Sequence, residues 1–502
     1  MTEGIFEQPS HCRENGFAFI GKLRQHHTAT NTMPWKIWAL GSNGNGQLAV
    51  GHCNDVDQPT SCLLDQPPPF NVRPRKIIAG GNHAVLLYED GSAYAAGMND
   101  DGRCGLPPTP EPITAFRRIA FTIDGPNDEA GEICNKFVDI TATWSSTTFV
   151  VAHSSTSKQA IYSCGTGDYG ELGQGPDVSI SVVPKIVMWL GHQHCVNLAS
   201  SFRHIVLILS SGSVFGWGNG RKAQLGRDMP PPVPNKPHGS VWEPWVIIRL
   251  GCGVPDIRGC HLACGRDFTY MLPPDDYKNG YSLKAMSGLL GLDVKKDDKF
   301  GIKENALTGP CKELHANWNT LHAIDVEGAL HSIGRNDKGQ ILPAKLKGNR
   351  VRNIKAGSEH SIAHIAVPGT FQNGKLARPR LWDEQCVILW GWGEHGNCGP
   401  LKPGSPWLSP QYTLSRTYSL MAMDGAELEP LGAGCATTFL MAYLDEESST
   451  ARSHTLNYMA FPRDCEKLRT NEDHEADEEY DSEDQLRLYW QIHAQVELLN
   501  TP

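Results

Sequence analysis

The stretch Trp38-Ala-Leu-Gly41-Ser-Asn-Gly-Asn-Gly46-Gln-Leu48 joins an apolar run to a glycine-rich phrase that recurs along the chain. Five further copies of the phrase begin at Gly97, Gly165, Gly218, Gly334 and Gly391. The leading glycines are separated by 56, 68, 53, 116 and 57 residues, so the fourth interval is about twice the others. We therefore expect a degenerate copy between Gly218 and Gly334, with Asp297-Asp-Lys-Phe-Gly301 as its remnant. A repeat of this period predicts stacked supersecondary units.

A second phrase gives the same number of units. It is clearest in Gly80-Gly-Asn-His83 and Gly357-Ser-Glu-His360, each of which precedes an apolar run. Turn signals such as Asp90-Gly91 follow these runs, as is typical of a β-hairpin. Weaker copies of the phrase are Ala142-Thr-Trp-Ser145, Ser201-Phe-Arg-His204, Gly265-Arg-Asp-Phe268, Ala316-Asn-Trp-Asn319 and Gly434-Cys-Ala-Thr437. Each of the seven units is therefore predicted to be a small antiparallel sheet.

The two ends of the array complement each other. The first unit has the Gly41 phrase without a preceding Gly-x-x-His strand, and the last has the strand Phe439–Tyr443 without a following glycine phrase. Two half units make one blade if the array closes into a ring, which also removes the exposed sheet edges. The sequence therefore predicts an all-β fold, a seven-bladed β-propeller over residues 33–444 closed by pairing of its N- and C-terminal strands. Residues 1–32 are predicted to be a flexible extension.

The charge of the chain is concentrated in an acidic tail, residues 445–502. The whole chain has 45 basic and 55 acidic residues, and this tail holds 5 of the former and 15 of the latter. The remaining residues are therefore neutral, and a neutral ring without a basic arm is a poor ligand for nucleic acid. The sequence contains no run of 18 apolar residues, so it does not predict a membrane span. We expect a monomer in the cytoplasm, with the nucleus as an alternative location.

The tail is predicted to be disordered except for one short helix. Residues 471–486 contain nine carboxylates and no Lys or Arg, a composition that cannot bury enough apolar surface to fold alone. Residues 486–499 follow, with Tyr489, Ile492 and Val496 on one face at helical spacing. The tail is interpreted either as a solubilising segment or as an acidic run that lies against a basic cluster of the ring.

Two apparent dinucleotide-binding fingerprints fall on the repeat. Gly165–Gly170 and Gly391–Gly396 both match G-x-G-x-x-G, but that fingerprint requires a following helix in a βαβ unit. We therefore interpret these glycines as turn residues. The repeated histidines His83, His204 and His360 are likewise predicted to pack between blades rather than to act in catalysis.

Metal ligation and enzymatic chemistry have little support in the sequence. The best clusters are His192-Gln-His194-Cys195 and Cys260-His261-x-x-Cys264, and neither belongs to a paired C-x-x-C motif. The fifteen cysteines are scattered, many of them in apolar strand patterns, which favours free thiols in a reducing compartment. We expect no catalytic residues, no cofactor and no metal.

The glycine phrases and the strands before them resemble the repeats of the regulator of chromosome condensation family. The resemblance is carried by Trp38–Leu48, Phe215-Gly-Trp-Gly-Asn219 and Leu389-Trp-Gly-Trp-Gly393, and it extends over nearly the whole predicted ring. That family includes a nucleotide exchange factor, ubiquitin-ligase accessory domains, channel-associated domains and bacterial inhibitors. The opening Met33-Pro-Trp-Lys-Ile-Trp-Ala-Leu-Gly41 looks most like its fungal alpha-tubulin suppressor branch.

That resemblance implies a non-enzymatic scaffold that binds a protein partner. Members of the branch are linked with a small zinc-binding electron carrier that serves diphthamide synthesis and Elongator-dependent tRNA wobble-uridine modification. The alternative is a guanine-nucleotide exchange factor for a Ran-type small GTPase. Gly44 stands where an exchange factor would present a carboxylate, which disfavours this alternative, whereas Asp168 favours it. A ubiquitin-ligase substrate module is a third class, without an attached catalytic domain here.

The variable positions of the phrase occupy the same place in every blade and are expected to share one face of the ring. On this basis the partner-binding residues are predicted to be Asn43, Asn45, Asp100, Asp101, Asp168, Tyr169, Arg221, Lys222, Asp337, Lys338, Glu394 and His395. A separate basic cluster is interpreted either as a charged edge strand or as a docking patch for an acidic partner or the acidic tail. Its members are Lys345, Lys347, Arg350, Arg352, Lys355, Arg378 and Arg380, with Lys375 beside them.

Overall fold

The computed structural model describes residues 34–68, 71–123, 131–154, 156–248, 260–272, 288–291, 311–342, 350–366, 371–372, 375–376, 386–399, 418–420, 428–444 and 458–460. Every regular element in these ranges is a β-strand, so the predicted all-β class is confirmed. The chain divides into two units, Met1–Ala460 and Phe461–Pro502, and all described residues belong to the first. The predicted extension 1–32, the remnant phrase 297–301 and the tail helix 486–499 lie outside the described residues.

Thirty-one strands follow one another along these ranges. The first sixteen are β1 (Trp35–Gly41), β2 (Val56–Ser61), β3 (Pro74–Ala79), β4 (His83–Tyr88), β5 (Ala93–Asn99), β6 (Thr109–Arg118), β7 (Phe121–Ile123), β8 (Glu132–Cys134), β9 (Phe137–Ala142), β10 (Ser146–Ala152), β11 (Gln159–Thr166), β12 (Ile180–Trp189), β13 (Cys195–Ser200), β14 (His204–Leu209), β15 (Val214–Asn219) and β16 (Ser240–Ile248). The others are β17 (His261–Cys264), β18 (Phe268–Leu272), β19 (Gly288–Gly291), β20 (Cys311–Ala316), β21 (Thr320–Asp325), β22 (Leu330–Gly334), β23 (Arg350–Ala356), β24 (His360–Ala366), β25 (Phe371–Gln372), β26 (Lys375–Leu376), β27 (Cys386–Gly391), β28 (Tyr418–Leu420), β29 (Leu428–Ala433), β30 (Thr437–Tyr443) and β31 (Tyr458–Ala460).

The hairpin of β4 and β5 illustrates how the repeat forms its strands. All six residues of β4 are buried, because this strand lies in the middle of its sheet with both faces covered. The strand ends at a tight turn in which Gly91 adopts φ 83° and donates its N–H to the carbonyl oxygen of Tyr88 at 3.0 Å. Asp90 Oδ1 accepts the backbone N–H of Ser92 at 3.0 Å and completes the turn.

The strands form meander sheets of the kind found in propeller blades. Four-stranded sheets have the orders β2-β1-β30-β29, β3-β4-β5-β6, β9-β10-β11-β12 and β13-β14-β15-β16, and one sheet has five strands, β23-β24-β27-β28-β31. Sheets β17-β18-β19 and β20-β21-β22 contain three strands, and β7-β8 and β25-β26 are separate two-stranded ribbons. The predicted β-propeller is confirmed. The expectation of seven complete four-stranded blades is met only in part, since the described residues leave two of these sheets with three strands.

The N- and C-terminal ends of the array meet in one sheet. Strand β1 pairs antiparallel with β30 in an unbroken register that runs from Trp35 opposite Tyr443 to Gly41 opposite Thr437. Trp38 lies opposite Leu440, as the two half units require. The predicted closure of the ring by its terminal strands is therefore confirmed.

The hydrophobic core lies between neighbouring sheets and not within any one of them. The first strands of successive sheets contact one another in the order β3, β9, β13, β17, β20, β23 and β29, and β29 returns to β3. These strands therefore line the axis of the ring. Phe116 of β6 and Phe439 of β30, both fully buried, meet across one such boundary with their ring centroids 6.4 Å apart.

The repeated histidines link each of three sheets to the next one. His204 Nε2 lies 3.0 Å from Thr269 Oγ1 of the following sheet, and that hydroxyl donates to the carbonyl oxygen of Gln224 at 2.8 Å. Because the hydroxyl already donates, the histidine must be the donor in the first bond, as Nε2–H. His83 and His360 make the same contact with Thr147 and Thr438.

These histidines are uncharged in the fold. Burial lowers the pKa of His83 and of His204 to about 3, and that of His360 to about 4. A neutral imidazole that donates one hydrogen bond across a sheet boundary is a structural element. This geometry favours the packing interpretation of the histidines over a catalytic one.

Candidate functional site

Two kinds of loop lie at the same end of the sheets, and both are described in every sheet except β17–β19, whose glycine phrase lies outside the described residues. The first is the turn between the first and second strands, called here the inner turn, and the second is the glycine phrase that follows the third strand. Each phrase also packs against the next sheet. A Cβ atom on Gly102 would lie 2.0 Å from the carbonyl oxygen of Val182, and Gly102 has φ 76°. Glycine is required there because no side chain fits between loop and strand.

The predicted partner-binding residues differ in their exposure. Four of them have exposed side chains, namely Asp100, Asp168, Arg221 and Asp337. Seven are partly buried, namely Asn45, Asp101, Tyr169, Lys222, Lys338, Glu394 and His395. Asn43 is fully buried. These residues belong to six separate phrases.

Asn43 closes its own loop and does not belong to the surface. Its Nδ2 donates to the carbonyl oxygen of His52 at 2.6 Å, and its Oδ1 accepts the backbone N–H of Leu48 at 2.9 Å. Asn99 makes the equivalent bonds in the next phrase, including one from the backbone N–H of Cys104 at 3.0 Å. Asn43 therefore presents no exposed side chain on the predicted partner-binding face, because an asparagine here satisfies backbone groups that the turn leaves unpaired.

A second loop-closing residue follows the middle of the phrase. Gln224 Oε1 accepts the backbone N–H of Lys222 at 2.8 Å, and Gln47 and Gln340 make the corresponding bonds in their phrases. Glu171 occupies this place in one phrase and accepts the backbone N–H of Tyr169 at 2.7 Å. Burial raises the pKa of Glu171 to about 7, and the charge of Arg203 opposes that rise.

Charged side chains of the phrases are held in local networks. Asp101 Oδ1 accepts from Arg103 Nε at 2.8 Å, and Asp101 Oδ2 accepts from Thr166 Oγ1 of the next sheet at 2.6 Å. Burial alone would raise the pKa of Asp101, but Arg103 and Thr166 outweigh it and lower the pKa. Asp101 therefore stabilises a sheet boundary, whereas its neighbour Asp100 is exposed.

A comparable network surrounds Lys338. Its Nζ lies 3.2 Å from the centroid of the Trp392 ring and 3.1 Å from Glu359 Oε2. Arg335 Nη1 approaches Glu359 Oε1 at 3.2 Å, so two cations share one nearly buried carboxylate. Trp392 belongs to the next phrase, and the network therefore joins two neighbouring sheets.

His395 contacts the sheet that closes the ring. Its Nδ1 lies 3.0 Å from Asp55 Oδ2, and this hydrogen bond raises the pKa of His395. Asp55 also accepts the backbone N–H of Asn43 at 2.7 Å. The pair joins the last phrase of the ring to the first.

The inner turns bring together an aromatic cluster that the sequence analysis did not identify. Trp144, Phe202 and Trp318 each occupy the second position of an inner turn. The ring centroids lie 5.1 Å apart for Trp144 and Phe202, 5.3 Å for Phe202 and Trp318, and 6.1 Å for Trp144 and Trp318. Trp144 and Trp318 come from sheets that have two other sheets between them along the ring, so their contact places the cluster on the axis. We call these three side chains the axial platform.

Backbone hydrogen bonds connect the inner turns around the axis. The N–H of Gly81 donates to the carbonyl oxygen of Trp144 at 2.9 Å, and the N–H of Trp144 donates to that of Phe202 at 3.0 Å. On the other side, the backbone N–H of Trp318 donates to the carbonyl oxygen of Ser358 at 2.8 Å. The carbonyl oxygen of Trp318 accepts the backbone N–H of Arg266 at 2.7 Å. These bonds hold the backbone beneath the platform.

The weak copies of the second phrase were misaligned by one residue in two sheets. The second strand begins at His83, His204 and His360 in three sheets, but at Ser146 and Thr320 in the two that carry Trp144 and Trp318. The register of the turn therefore places each tryptophan at the second position and not at the third. With this alignment the recurrence of aromatic residues at one position becomes visible in the sequence.

Two arginines lie on the axial platform. The guanidinium carbon of Arg203 is 4.4 Å from the Tyr169 ring centroid and 5.1 Å from that of Phe202. Arg266 lies 5.3 Å from the centroid of Phe202 and 5.6 Å from that of Trp318. These distances fall within the range of cation–π interactions.

The charges of the inner turns and phrases are separated into two halves of the face. Among the described residues of the inner turns and phrases on sheets β13–β16, β17–β19 and β20–β22, six basic side chains outnumber two acidic ones; they are Arg203, Arg221, Lys222, Arg266, Arg335 and Lys338 against Asp267 and Asp337. The inner turns and phrases of the remaining sheets carry six acidic side chains and one basic side chain; they are Asp100, Asp101, Asp168, Glu171, Glu359 and Glu394 against Arg103. We call these the basic half and the acidic half.

The three members of the predicted basic cluster that the structure describes have different surroundings. Arg350 and Arg352 are exposed at the start of β23, at the end of the sheet away from the phrases. Lys355 lies near the other end of the same strand, beyond a register shift between Val351 and Asn353. Burial lowers the pKa of Lys355, and the nearby Glu313 opposes this effect. The other members, Lys345, Lys347, Arg378 and Arg380, lie outside the described residues.

Cysteines and possible ligand groups complete the description. Eleven cysteines of the described residues are free thiols, most of them buried, and burial raises the pKa of Cys195 to about 12. Within the described ranges no group of three or more His, Cys, Asp and Glu is arranged to hold a metal ion. The part of the chain that the structure describes contains no helix long and apolar enough to cross a membrane.

Known proteins of the same repeat type are similar to this chain. An RCC1 repeat-containing protein of Schizosaccharomyces pombe is 27% identical over 371 residues, which cover 72% of this chain and 88% of that protein. The secretion-regulating guanine nucleotide exchange factor of Bos taurus is 24% identical over 395 residues, covering 74% of this chain and 77% of the relative. No protein-family model matches the chain.

A solved structure shares the fold. Prp20p from Saccharomyces cerevisiae, whose structure was described with its binding properties to Gsp1p and histones, superposes with a TM-score of 0.55. The match covers 84% of this chain and 94% of Prp20p at 18% identity, which shows the fold alone. The homologues of this chain are RCC1 repeat-containing proteins, and its structural neighbours are RCC1-type propellers.

Proposed function

We propose that the chain is a non-enzymatic protein-binding scaffold of the alpha-tubulin suppressor type, built as a ring of seven blades. The observation that carries this proposal is the face formed by the inner turns and phrases. It presents half-buried aromatic rings beside exposed charged side chains, a composition that is typical of protein interfaces. The first strands of the seven sheets contact one another in a closed ring, which supports the blade number.

The proposed partner is a small zinc-binding protein of diphthamide synthesis and Elongator-dependent tRNA wobble-uridine modification, encountered in the cytoplasm or nucleus. This assignment rests on the resemblance of Met33–Gly41 to the alpha-tubulin suppressor branch. The partner would dock on the face without covalent chemistry. Asp168 and Arg221, both exposed on phrases of the two different halves, are the residues chosen to test this docking.

The test is calorimetric titration of the full chain with the recombinant zinc-binding protein. We expect Asp168→Ala and Arg221→Ala each to weaken binding about tenfold, because each removes one exposed charge from the face. The matched control is Glu327→Ala, an exposed carboxylate in the turn between β21 and β22 at the opposite end of its sheet. Binding that Glu327→Ala weakens and the two phrase variants leave unchanged would place the partner on the other face and contradict the proposal.

The second candidate is guanine-nucleotide exchange on a Ran-type GTPase. It is favoured by the relative that is named as a guanine nucleotide exchange factor, and by the binding of Prp20p to Gsp1p. The readout is release of fluorescent GDP from a Ran-type GTPase, with the full chain at micromolar concentration. Accelerated release that Asp168→Ala abolishes would select exchange over the scaffold function, whereas no acceleration is expected for a scaffold.

A further inference from the structure

The axial platform combines two properties that a binding hot spot requires. Its three rings are half-buried and packed edge to face, so they are held in place without being covered. The backbone beneath them is fixed by hydrogen bonds between successive inner turns, including the bond from Arg266 to Trp318 at 2.7 Å. A rigid aromatic surface loses little side-chain entropy when a partner binds, so its apolar area contributes efficiently to affinity.

The two arginines determine what chemistry the platform would select. A guanidinium that lies on an aromatic face keeps its N–H groups at its edge, where they match a carboxylate. Arg203 Nη1 approaches Glu171 Oε1 at 3.4 Å, which is longer than a charge-assisted hydrogen bond of about 2.8 Å. Glu171 therefore leaves Arg203 with capacity for a second carboxylate.

The separation of charge on the face decides between classes of partner. A nucleic acid would present phosphates to the whole face, including the six carboxylates of the acidic half, and would be repelled there. A protein can carry acidic and basic groups on different parts of its surface and match both halves. The distribution of charge therefore favours a protein whose acidic segment contacts the basic half.

We propose that the axial platform, with Arg203 and Arg266, is the anchoring site for an acidic segment of a protein partner. An aromatic or aliphatic side chain of that segment packs on Trp144, Phe202 and Trp318, and the carboxylates beside it bind the two arginines. This inference rests on the proposed scaffold function and adds to it the anchor and the polarity of the partner. It also fixes the orientation, since a basic surface of the partner then meets the acidic half.

The test uses a displayed library of random twelve-residue peptides, selected on the full chain. We expect the selected peptides to carry Asp or Glu beside an aromatic or large aliphatic residue. Their dissociation constants are then measured with tryptophan emission as the readout, because Trp144 and Trp318 lie at the proposed contact. Arg266→Ala and Phe202→Ala should each weaken binding at least about tenfold, and Arg266→Lys should weaken it less than Arg266→Ala.

The controls separate the platform from general charge effects. Arg117→Ala removes an exposed arginine of β6 that pairs with Asp65 at 3.2 Å, outside the inner turns and phrases, and should leave peptide binding unchanged. Circular dichroism of Phe202→Ala checks that the fold is retained, and Arg266→Ala provides an independent variant if it is not. A uridine decamer, added as a competitor, should not displace the peptides.

Several outcomes would overturn the inference. These are selection of predominantly basic peptides, peptide binding that neither Arg266→Ala nor Phe202→Ala weakens, selection of no peptides, and displacement by the uridine decamer. The result is distinguishable from the test of the scaffold function. If the zinc-binding protein depends on Asp168 and Arg221 but not on Arg266, the scaffold function stands without this anchor. If the peptides depend on Arg266 and the zinc-binding protein does not bind, the anchor stands and the partner was wrongly assigned.

Discussion

Glu171 is a buried carboxyl group whose ionisation the fold opposes. It lies where three other phrases carry Gln47, Gln224 and Gln340, and burial raises its pKa from 4.5 to about 7. A carboxyl group whose pKa is higher in the folded state binds protons more tightly there. Its charge therefore costs stability as the pH rises from 4.5 towards 7, and the full cost is present above pH 7.

Glu171→Gln should consequently stabilise the protein at alkaline pH. We expect the gain in the free energy of unfolding to be about 2 kcal/mol larger at about pH 8 than at about pH 5. The measurement is urea unfolding of both proteins at the two pH values. The matched control is Glu327→Gln, the same substitution at an exposed carboxylate in the turn between β21 and β22. A gain of equal size at both pH values would mean that Glu171 is ionised freely in the fold.

The sequence predicted the glycine phrase, but it did not predict which of its residues close the loop and which are exposed. Asn99 and Asp100 are neighbours in one phrase, yet the first is buried and the second exposed. The pattern of glycines shows that a tight loop is present, whereas the direction of each side chain depends on which backbone groups the turn leaves unpaired. That information comes only from the three-dimensional loop.

At the scale of elements, the repeated link between sheets is the contact from a histidine to the threonine of the next sheet. His204 and Thr269 are 65 residues apart and both fully buried. The recurrence of histidine at one position of the repeat predicted that these side chains pack between blades. The sequence did not identify Thr269 as the partner of His204, because the two residues belong to different repeats. Each hydrogen bond of this kind spans a boundary between two neighbouring sheets.

The contribution of this link can be measured with a double-mutant cycle. His204→Ala should lower the free energy of unfolding by about 2–4 kcal/mol, because it creates a cavity and leaves the threonine without its donor. Thr269→Val should cost about 1–3 kcal/mol, and the double variant should cost less than the sum by about 1 kcal/mol. His331→Ala, which removes an exposed histidine paired with Asp325, is the control and should cost about 0.5 kcal/mol or less.

Strict additivity of the two single variants, within about 0.3 kcal/mol, would contradict the proposed coupling.

The strands show what the sequence could not predict at the scale of elements. Hairpins were recognised from their turns, but the basic cluster was treated as one patch. Alternation along β23 and its register shift at Val351–Asn353 place Arg352 and Lys355 in different surroundings.

At the scale of the whole molecule, β1 holds the ring closed. Ile37 and Ala39 belong to the core between the closing sheet and the sheet β3–β6, whereas Leu40 belongs to the core between the closing sheet and the sheet of β24 and β27. Burial of Ile37 and Leu40 contributes about 2 kcal/mol each, and seven residues of β1 pair with β30. The sequence predicted this closure because its first and last units are each incomplete, and pairing them completes one sheet.

Removing β1 should therefore unfold the ring and not merely fray one end. A chain that begins at Gly51 loses the first phrase and exposes two inter-sheet cores together, a loss comparable to the whole stability of a domain, about 5–15 kcal/mol. We expect it to show no cooperative thermal transition by circular dichroism. A chain that begins at Met33 keeps β1 and should melt like the full protein, which makes it the matched control. A cooperative transition of the Gly51 variant near that of the control would mean that the other sheets are stable as an open array.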